Sequence, residues 1–281
     1  MARTQPPQGP PVFMWEVEAD RNRVYLLGSV HVLKAADYPL PAPMETAFQE
    51  AETLVFEVDP ARLTSVSSQF TLMSYAQPEA GESLKASLSP QTYALAQQRA
   101  TELGLPLLIF DPLEPWFLAL TLTPLKLLSL GFEAQYGIDL YFYQQVQDSE
   151  KQVESLETLE DQLQLFDTLP AATQEVFLLQ TLEELDNLGT DMDNIVATWK
   201  AGDTEAMGHF LLDSFEQHPE LRDRVLTQRN LNWLPAIEGF IDQEDDYLVI
   251  VGAAHLIGTD GVVNLLRDRG YKVNQVHQAA D

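Results

Sequence analysis

Two stretches of the chain share one pattern of hydrophobic and polar positions. Residues 24–31 and 248–255 each begin with an unbroken apolar run and end in Gly-x-x-His. Four or more β-prone residues in a row predict a strand that is buried on both faces. His31 and His255 are therefore expected just past the carboxyl ends of two strands, where open α/β sheets bind ligands. The alternative is that both histidines are ordinary core or capping residues.

A third apolar run contains an acidic residue. Residues 53–60 predict a strand that stops at Pro60, and Glu57 interrupts its apolar sequence. A buried carboxylate is costly unless it is paired or bound to a metal. The alternative is a strand that alternates between core and solvent, with Glu57 facing water.

The remaining pattern predicts an α/β fold. Residues 13–18 and 23–27 read as a hairpin, and Pro124 is expected to break an apolar helix. Further strands are predicted at residues 106–110, 152–157, 247–251 and 271–276. Because strands and helices alternate at both ends, we expect a central sheet built from the N- and C-terminal halves. The two Gly-x-x-His units then resemble halves of a divergent repeat.

The same pattern predicts the domain organisation. Residues 1–11 are rich in Pro and Gln and predict a flexible tail, and residues 12–281 predict a single domain. A mostly helical insertion is expected at about residues 112–240. The apolar run at 116–130 is too short to span a bilayer. Without the apolar core of a signal peptide, a cytoplasmic protein is expected, or a secreted or periplasmic one if the N-terminus was trimmed.

Composition narrows the classes of function. The chain has 281 residues, of which 16 are basic and 43 acidic, and its net charge is −27. This charge argues against partners that demand a basic surface, namely nucleic acid and anionic lipid. There is no cysteine, which excludes disulfides, thiolate metal sites and a cysteine nucleophile.

The polar residues at the predicted strand ends suggest a metal site. If both Gly-x-x-His strands lie in one sheet, His31 and His255 converge and Glu57 joins them from a neighbouring strand. Two imidazoles and a carboxylate suit Mn²⁺, Co²⁺, Zn²⁺ or Fe²⁺, and a bound water would supply hydroxide near neutral pH. Arg229 is a candidate to stabilise the resulting oxyanion; the alternative is an ordinary surface arginine.

Other catalytic motifs are missing from the sequence. Ser29 lies in no Gly-x-Ser-x-Gly elbow, and there is no Walker loop, dinucleotide fingerprint or His-Glu-x-x-His. His209, His218 and His277 have no comparable context, and we expect them at the surface or at helix ends.

Several motifs together resemble the TraB/PrgY/GumN family, which includes the Tiki membrane-tethered proteases. The resemblance covers almost the whole chain after about residue 12. Its motifs are residues 25–33, 56–59, 137–139, 154–158, 229–230 and 251–256. It implies an α/β fold related to erythromycin-esterase-like and ChaN-like proteins, and a metal-dependent hydrolase site with Mn²⁺ or Co²⁺.

The resemblance also implies roles for individual residues. His31, His255 and Glu57 correspond to the metal site, and Glu57 and Arg229 to catalytic positions. Asp139 and Asn230 match further positions and become candidate catalytic residues.

Three functional hypotheses follow from the motifs and the resemblance. The first is a metallopeptidase, or another metal-dependent hydrolase, acting on a peptide or a small amide or ester. The second is a non-catalytic protein of the PrgY type that sequesters a peptide or small ligand. The third is a metal-free esterase-like hydrolase in which His31 activates water. Haem binding, by analogy with ChaN, is disfavoured.

Overall fold

The computed structural model describes residues 9–63, 65–78, 82–215 and 218–279. The chain forms two compact units. The first contains the described residues of Met1–Pro60, Ala134–Glu157 and Met192–Asp281, and the second those of Ala61–Glu133 and Thr158–Asp191. The predicted single domain with a helical insertion at about 112–240 stays a prediction.

The first unit contains a six-stranded mixed sheet. Its strands are β1 (Pro11–Glu18), β2 (Arg23–Ser29), β3 (Thr53–Phe56), β4 (Gln152–Ser155), β5 (Tyr247–Gly252) and β6 (Val273–His277). Their order across the sheet is β4-β3-β5-β2-β1-β6. The strands β4, β3, β5 and β2 are parallel to one another, whereas β1 is antiparallel to both β2 and β6. The carboxyl ends of four neighbouring strands therefore meet at one edge.

Helices make up most of the remaining described chain. The α-helices are α1 (Ala42–Glu50), α2 (Pro60–Leu63), α3 (Val66–Tyr75), α4 (Leu84–Ser87), α5 (Pro90–Glu102), α6 (Pro115–Ser129), α7 (Ile138–Gln147), α8 (Leu159–Asp167), α9 (Ala171–Glu184), α10 (Leu188–Lys200), α11 (Thr204–Leu211), α12 (Pro219–Arg222), α13 (Gln228–Ile241), α14 (Ala253–Leu256) and α15 (Val262–Asp268). Short 3-10 turns occur at Ala35–Asp37, Leu107–Phe110, Ala134–Tyr136 and Asp213–Phe215, and a π-helical turn at Asp223–Thr227.

The α/β class is confirmed, and hydrophobic burial explains the central strands. Every residue of β3 and β5 is buried, as are six of the seven residues of β2. The predicted hairpin is present as β1 and β2. The two Gly-x-x-His units lie on adjacent strands but are one residue out of step, since Gly28 pairs with Val251 and Ser29 with Gly252. Their origin as a repeat stays a prediction.

Two predictions of secondary structure are wrong, both in the second unit. The strand expected at residues 106–110 is a 3-10 turn, in which Leu107 and Phe110 are buried and the two residues between them are exposed. Residues three positions apart lie on the same face of a 3-10 helix, which has three residues per turn. Helix α6 continues through Pro124, because residues on both sides of it, including Trp116 and Leu127, are buried. We infer that this packing offsets the cost of an internal proline.

The first described residues pair with the C-terminal end of the chain. Of the tail predicted at residues 1–11, residues 1–8 lie outside the described residues. The Gly9 N–H donates to the Gln278 carbonyl at 3.1 Å, and β1 begins at Pro11. Within the part of the chain that the structure describes, no helix combines the length and apolar character needed to cross a bilayer.

Candidate functional site

The candidate site is formed where the four parallel strands end. Glu157 lies two residues after β4 and Glu57 directly after β3. His255 follows β5, and His31 follows β2. The sequence predicted three of these residues at one sheet edge, and the structure adds Glu157. Because β3 ends at Phe56, Glu57 lies beyond the strand instead of facing water from within it.

Gly252 leaves open the space into which three of these side chains point. A Cβ atom at Gly252 would lie 3.3 Å from Glu57 Oε1, 3.3 Å from His31 Nε2 and 3.6 Å from His255 Cδ2. The Gly252 N–H also donates to Glu57 Oε1 at 2.7 Å. A glycine at the end of β5 therefore allows two imidazoles and a carboxylate to converge.

His31 is held by an acidic residue on α7. Its Nδ1 lies 2.8 Å from Asp139 Oδ2, and the Ser29 hydroxyl donates to the same carboxylate at 2.9 Å. The negative charge of Asp139 raises the pKa of His31 to about 9. The His31 side chain is 65% exposed, so it forms the solvent-facing wall of the site.

A second glycine places Asp139. The Ile138 N–H at the start of α7 donates to the Val30 carbonyl at 3.1 Å. A Cβ atom at Gly137 would lie only 1.9 Å from the His31 carbonyl oxygen. The residue before α7 must therefore be glycine for the helix to approach this segment. The sequence Gly137-Ile138-Asp139 thus has a structural reason beyond the resemblance that drew attention to it.

His255 is buried and is oriented by an amide. Its Nδ1 lies 2.6 Å from Asn230 Oδ1, while the Asn230 amide N–H donates to the Asp260 carbonyl at 2.8 Å. Because the amide nitrogen of Asn230 is already directed at a carbonyl, the amide oxygen faces His255 and accepts a hydrogen bond from the Nδ1–H. The lone pair of the neutral ring is then on Nε2. Burial lowers the pKa of His255 to about 3, so the ring is neutral at physiological pH.

Arg229 is paired with two carboxylates and is not an ordinary surface residue. From the first turn of α13 it donates to Glu57 Oε2 at 2.5 Å and to Glu157 Oε1 at 2.5 Å. A third contact joins its Nη1 to His255 Nε2 at 2.9 Å. Burial alone would lower the pKa of Arg229, but the two carboxylates raise it.

Trp233 packs one turn further along α13. Its ring lies 4.8 Å from the Arg229 guanidinium and 4.5 Å from the His255 ring. Its indole N–H donates to Glu157 Oε2 at 3.1 Å. This tryptophan covers one side of the site with an aromatic surface and orients the second carboxylate.

Glu57 remains ionised in spite of its burial. Burial acts to raise its pKa, but His255, Arg229 and His31, together with the Gly252 N–H, outweigh this effect and hold the pKa at about 2. Its Oε1 lies 3.9 Å from His255 Nε2. The centre thus contains the carboxylates of Glu57, Glu157 and Asp139 close to one guanidinium, an excess of negative groups.

The sequence missed Glu157 and Trp233 as site residues. One signal existed for Glu157, since it is the last residue of a predicted strand, just as Glu57 lies near the end of another. Trp233 had none, because its role depends on which residues the strands bring beside it. Three histidines for which the sequence offered no site context make none of the contacts of this cluster, namely His209, His218 and His277. His277 lies partly exposed in β6.

Together, the fold and the site define an α/β protein with a charged, histidine-containing centre at the carboxyl edge of parallel strands. The chain belongs to the TraB/PrgY/gumN family, whose model matches residues 13–275.

Individual relatives agree with this assignment. The chain is 27% identical over 243 residues to the uncharacterized protein YbaP of Escherichia coli (strain K12), covering 86% of this chain and 87% of YbaP. YbaP of Shigella flexneri matches equally well. Metalloprotease TIKI2 of Danio rerio is 22% identical over an alignment of 315 residues, covering 93% of this chain and 60% of that protein. No solved structure is a significant match.

Proposed function

We propose that this protein is a metal-dependent hydrolase, most specifically a metallopeptidase, with its centre at His31, Glu57 and His255. The observation that supports this most directly is the orientation of the two imidazoles. Asp139 engages Nδ1 of His31 and Asn230 engages Nδ1 of His255. Histidines that bind metals typically use one ring nitrogen for the metal and donate from the other to such a group.

The donors suit a divalent cation. Imidazole nitrogen and carboxylate oxygen bind Mn²⁺, Co²⁺, Zn²⁺ and Fe²⁺, and the open space at Gly252 adjoins His31 Nε2 and Glu57 Oε1. The excess of carboxylates also favours a cation. Among the described residues no three His, Asp or Glu side chains already stand in the positions of a metal shell. Two of the proposed ligands, Glu57 and His255, are instead engaged by Arg229.

In this proposal the residues of the chain have separate tasks. His31, Glu57 and His255 hold the metal, which when bound would lower the pKa of a water and supply hydroxide. Arg229 provides positive charge beside the carbonyl oxygen under attack. Asp139 and Asn230 fix the two rings.

We propose a peptide or a small amide or ester as the substrate. The support is the relative named Metalloprotease TIKI2, which aligns with 93% of this chain.

The test is hydrolysis of a general peptide substrate in the presence of Mn²⁺ or Co²⁺. We expect H31A and H255A to lose at least about 100-fold in kcat/KM, because each removes a proposed ligand. His209→Ala is the matched control, since that exposed histidine pairs only with Asp213 among the described contacts. Unchanged activity in both H31A and H255A would refute the proposed centre.

A metal-free hydrolase is the second candidate, because one further observation favours it. His31 and Asp139 form an exposed imidazole–carboxylate pair, the arrangement of a general base and its orienting acid. Because the pKa of His31 is raised to about 9, we expect this activity to increase as the pH rises towards 9. Activity that survives exhaustive chelation but is lost in D139N would support this candidate over the metallopeptidase. Tight peptide binding without turnover under any metal would instead favour a sequestering protein.

A further inference from the structure

We propose that the Arg229 guanidinium and a divalent cation compete for the same donor atoms, so that Arg229 sets how tightly this site binds metal. This inference rests on the proposed metal-binding function and concerns how that site is regulated. It follows from the contacts of His255 Nε2 and Glu57 Oε2, both of which lie within hydrogen-bonding distance of the guanidinium.

Competition at His255 is exclusive. With Nδ1 donating to Asn230, the neutral ring has a single lone pair, on Nε2. That lone pair accepts from Arg229 Nη1 at 2.9 Å. One lone pair serves either a hydrogen bond or a metal, so a cation bound at Nε2 must displace the Arg229 contact. The orientation of Asn230, fixed by the Asp260 carbonyl, prevents the ring from offering its other nitrogen.

Competition at Glu57 is electrostatic. A carboxylate can accept several partners, but a metal within about 2 Å of Glu57 and His255 would lie beside the like-charged guanidinium. The site is buried, with the Arg229 side chain only 11% exposed, so solvent screens this repulsion poorly.

Arg229 has other partners that can retain it after displacement. Its Nε donates to Glu157 Oε1 at 3.1 Å, its Nη1 also reaches the Val225 carbonyl at 3.1 Å, and Trp233 packs against its plane. A guanidinium released from His255 and Glu57 therefore stays in the site, anchored on Glu157. There it becomes available to a substrate carbonyl or carboxylate, which links metal binding to substrate recognition.

The experiment measures the binding of MnCl₂ and CoCl₂ by calorimetry to wild type, R229M and R229K. We expect R229M to bind these metals at least about tenfold more tightly than wild type, because His255 and Glu57 no longer have to be released from Arg229. R229K should fall between the two, since lysine keeps the charge without the planar contact. Arg99→Met is the matched control, because it removes the same charge from an arginine of similar burial that pairs with two carboxylates outside the site, Glu102 and Asp186. We expect its affinity to stay close to that of wild type.

A second readout follows the arginine directly. In ¹⁵N NMR with Zn²⁺ as a diamagnetic probe, we expect the resonances of His255 Nε2 and of the Arg229 guanidinium to change together on titration. Metal binding that perturbs His255 and leaves Arg229 unchanged would overturn the inference. So would R229M with unchanged or weaker affinity, or an R99M variant that gains as much affinity as R229M does.

The outcomes separate this inference from the proposed function. If R229M binds metal more tightly than wild type but the protein hydrolyses no peptide, the competition between Arg229 and metal is supported and the metallopeptidase function is refuted. If metal-dependent hydrolysis is lost in H255A but R229M gains no affinity for metal, the metallopeptidase function is supported and the competition is refuted. If neither wild type nor R229M binds any of these metals, the competition is refuted together with the metal site.

Discussion

At the scale of single residues, the two histidines have opposite protonation behaviour. His31 is exposed and faces a carboxylate, which raises its pKa to about 9. His255 is buried against a neutral amide and a guanidinium, and its pKa is lowered to about 3. The Gly-x-x-His motif therefore places each histidine just past a strand but does not determine the charge of its ring. That charge depends on groups distant in the sequence.

Titration of the ring resonances by NMR tests this difference. We expect His31 to lose its proton near pH 9 and His255 to remain neutral, with the proton on Nδ1, throughout the neutral range. D139N should return the pKa of His31 towards its ordinary value of about 6.5. A His31 that titrates normally in the wild-type protein would contradict the assigned role of Asp139.

The same pair gives a signed prediction for stability. A raised pKa in the folded state means that the pair stabilises the protein below the unfolded pKa of about 6.5 and stops doing so as pH rises through about 9. We therefore expect D139N to reduce the free energy of unfolding more at pH 6 than at pH 10. Because His31 is mostly exposed, the difference should be small, about 1 kcal/mol or less. Denaturant titration at the two pH values measures it.

The sequence predicted the identity of most site residues but not their partners. His31, Glu57 and His255 each follow an apolar run, a pattern that can be seen in one stretch of chain. The contacts of Arg229 with Glu57 and Glu157 join three stretches, and no local pattern encodes them. The sequence left open whether Glu57 is paired or faces water. Its partner is Arg229, which lies 172 positions away in the sequence.

At the scale of elements, the approach of α7 to the β2 end depends on Gly137. The helix begins where a side chain would overlap the His31 carbonyl. Its first turn supplies both the Ile138 N–H bonded to Val30 and the Asp139 carboxylate. The need for glycine at position 137 arises only from packing between the two segments.

We expect Gly137→Ala to destabilise the protein by about 1–3 kcal/mol, the usual cost of forcing an extra methyl group into a packed site. The displaced backbone should also weaken the contact between His31 and Asp139. Gly239→Ala is the control, since a Cβ there meets nothing within 4 Å and the residue lies inside α13. That variant should be neutral or more stable by about 0.5–1 kcal/mol. Equal effects of the two substitutions, measured by denaturant unfolding, would contradict the argument.

The elements that the sequence misassigned share one cause. Residues 106–110 form an apolar run too short to distinguish a strand from a helical turn. Around Pro124, the local preference of proline opposes a continuous helix. Burial of Leu107 with Phe110, and of Trp116 with Leu127, decided both cases. The central strands β2, β3 and β5 were predicted more accurately because each contains an unbroken apolar run.

At the scale of the whole molecule, the net charge of −27 predicts a protein that repels itself. Compaction brings like charges together, and added salt screens them. We expect the thermal midpoint to rise by several degrees between about 20 mM and about 500 mM NaCl. KCl should have the same effect if screening is the cause. A midpoint that falls with either salt would show that specific ion pairs outweigh the general repulsion.

The strand order has a consequence for how the protein is made. The middle position of the sheet, between β3 and β2, is filled by β5, which begins only at Tyr247. On the ribosome, β2 and β3 are synthesised long before the strand that joins them, and their unpaired edges face an unfilled gap. A nascent chain is therefore exposed to mispairing until β5 has emerged. Since His255 follows β5 in the sequence, the centre cannot assemble before that strand has been synthesised.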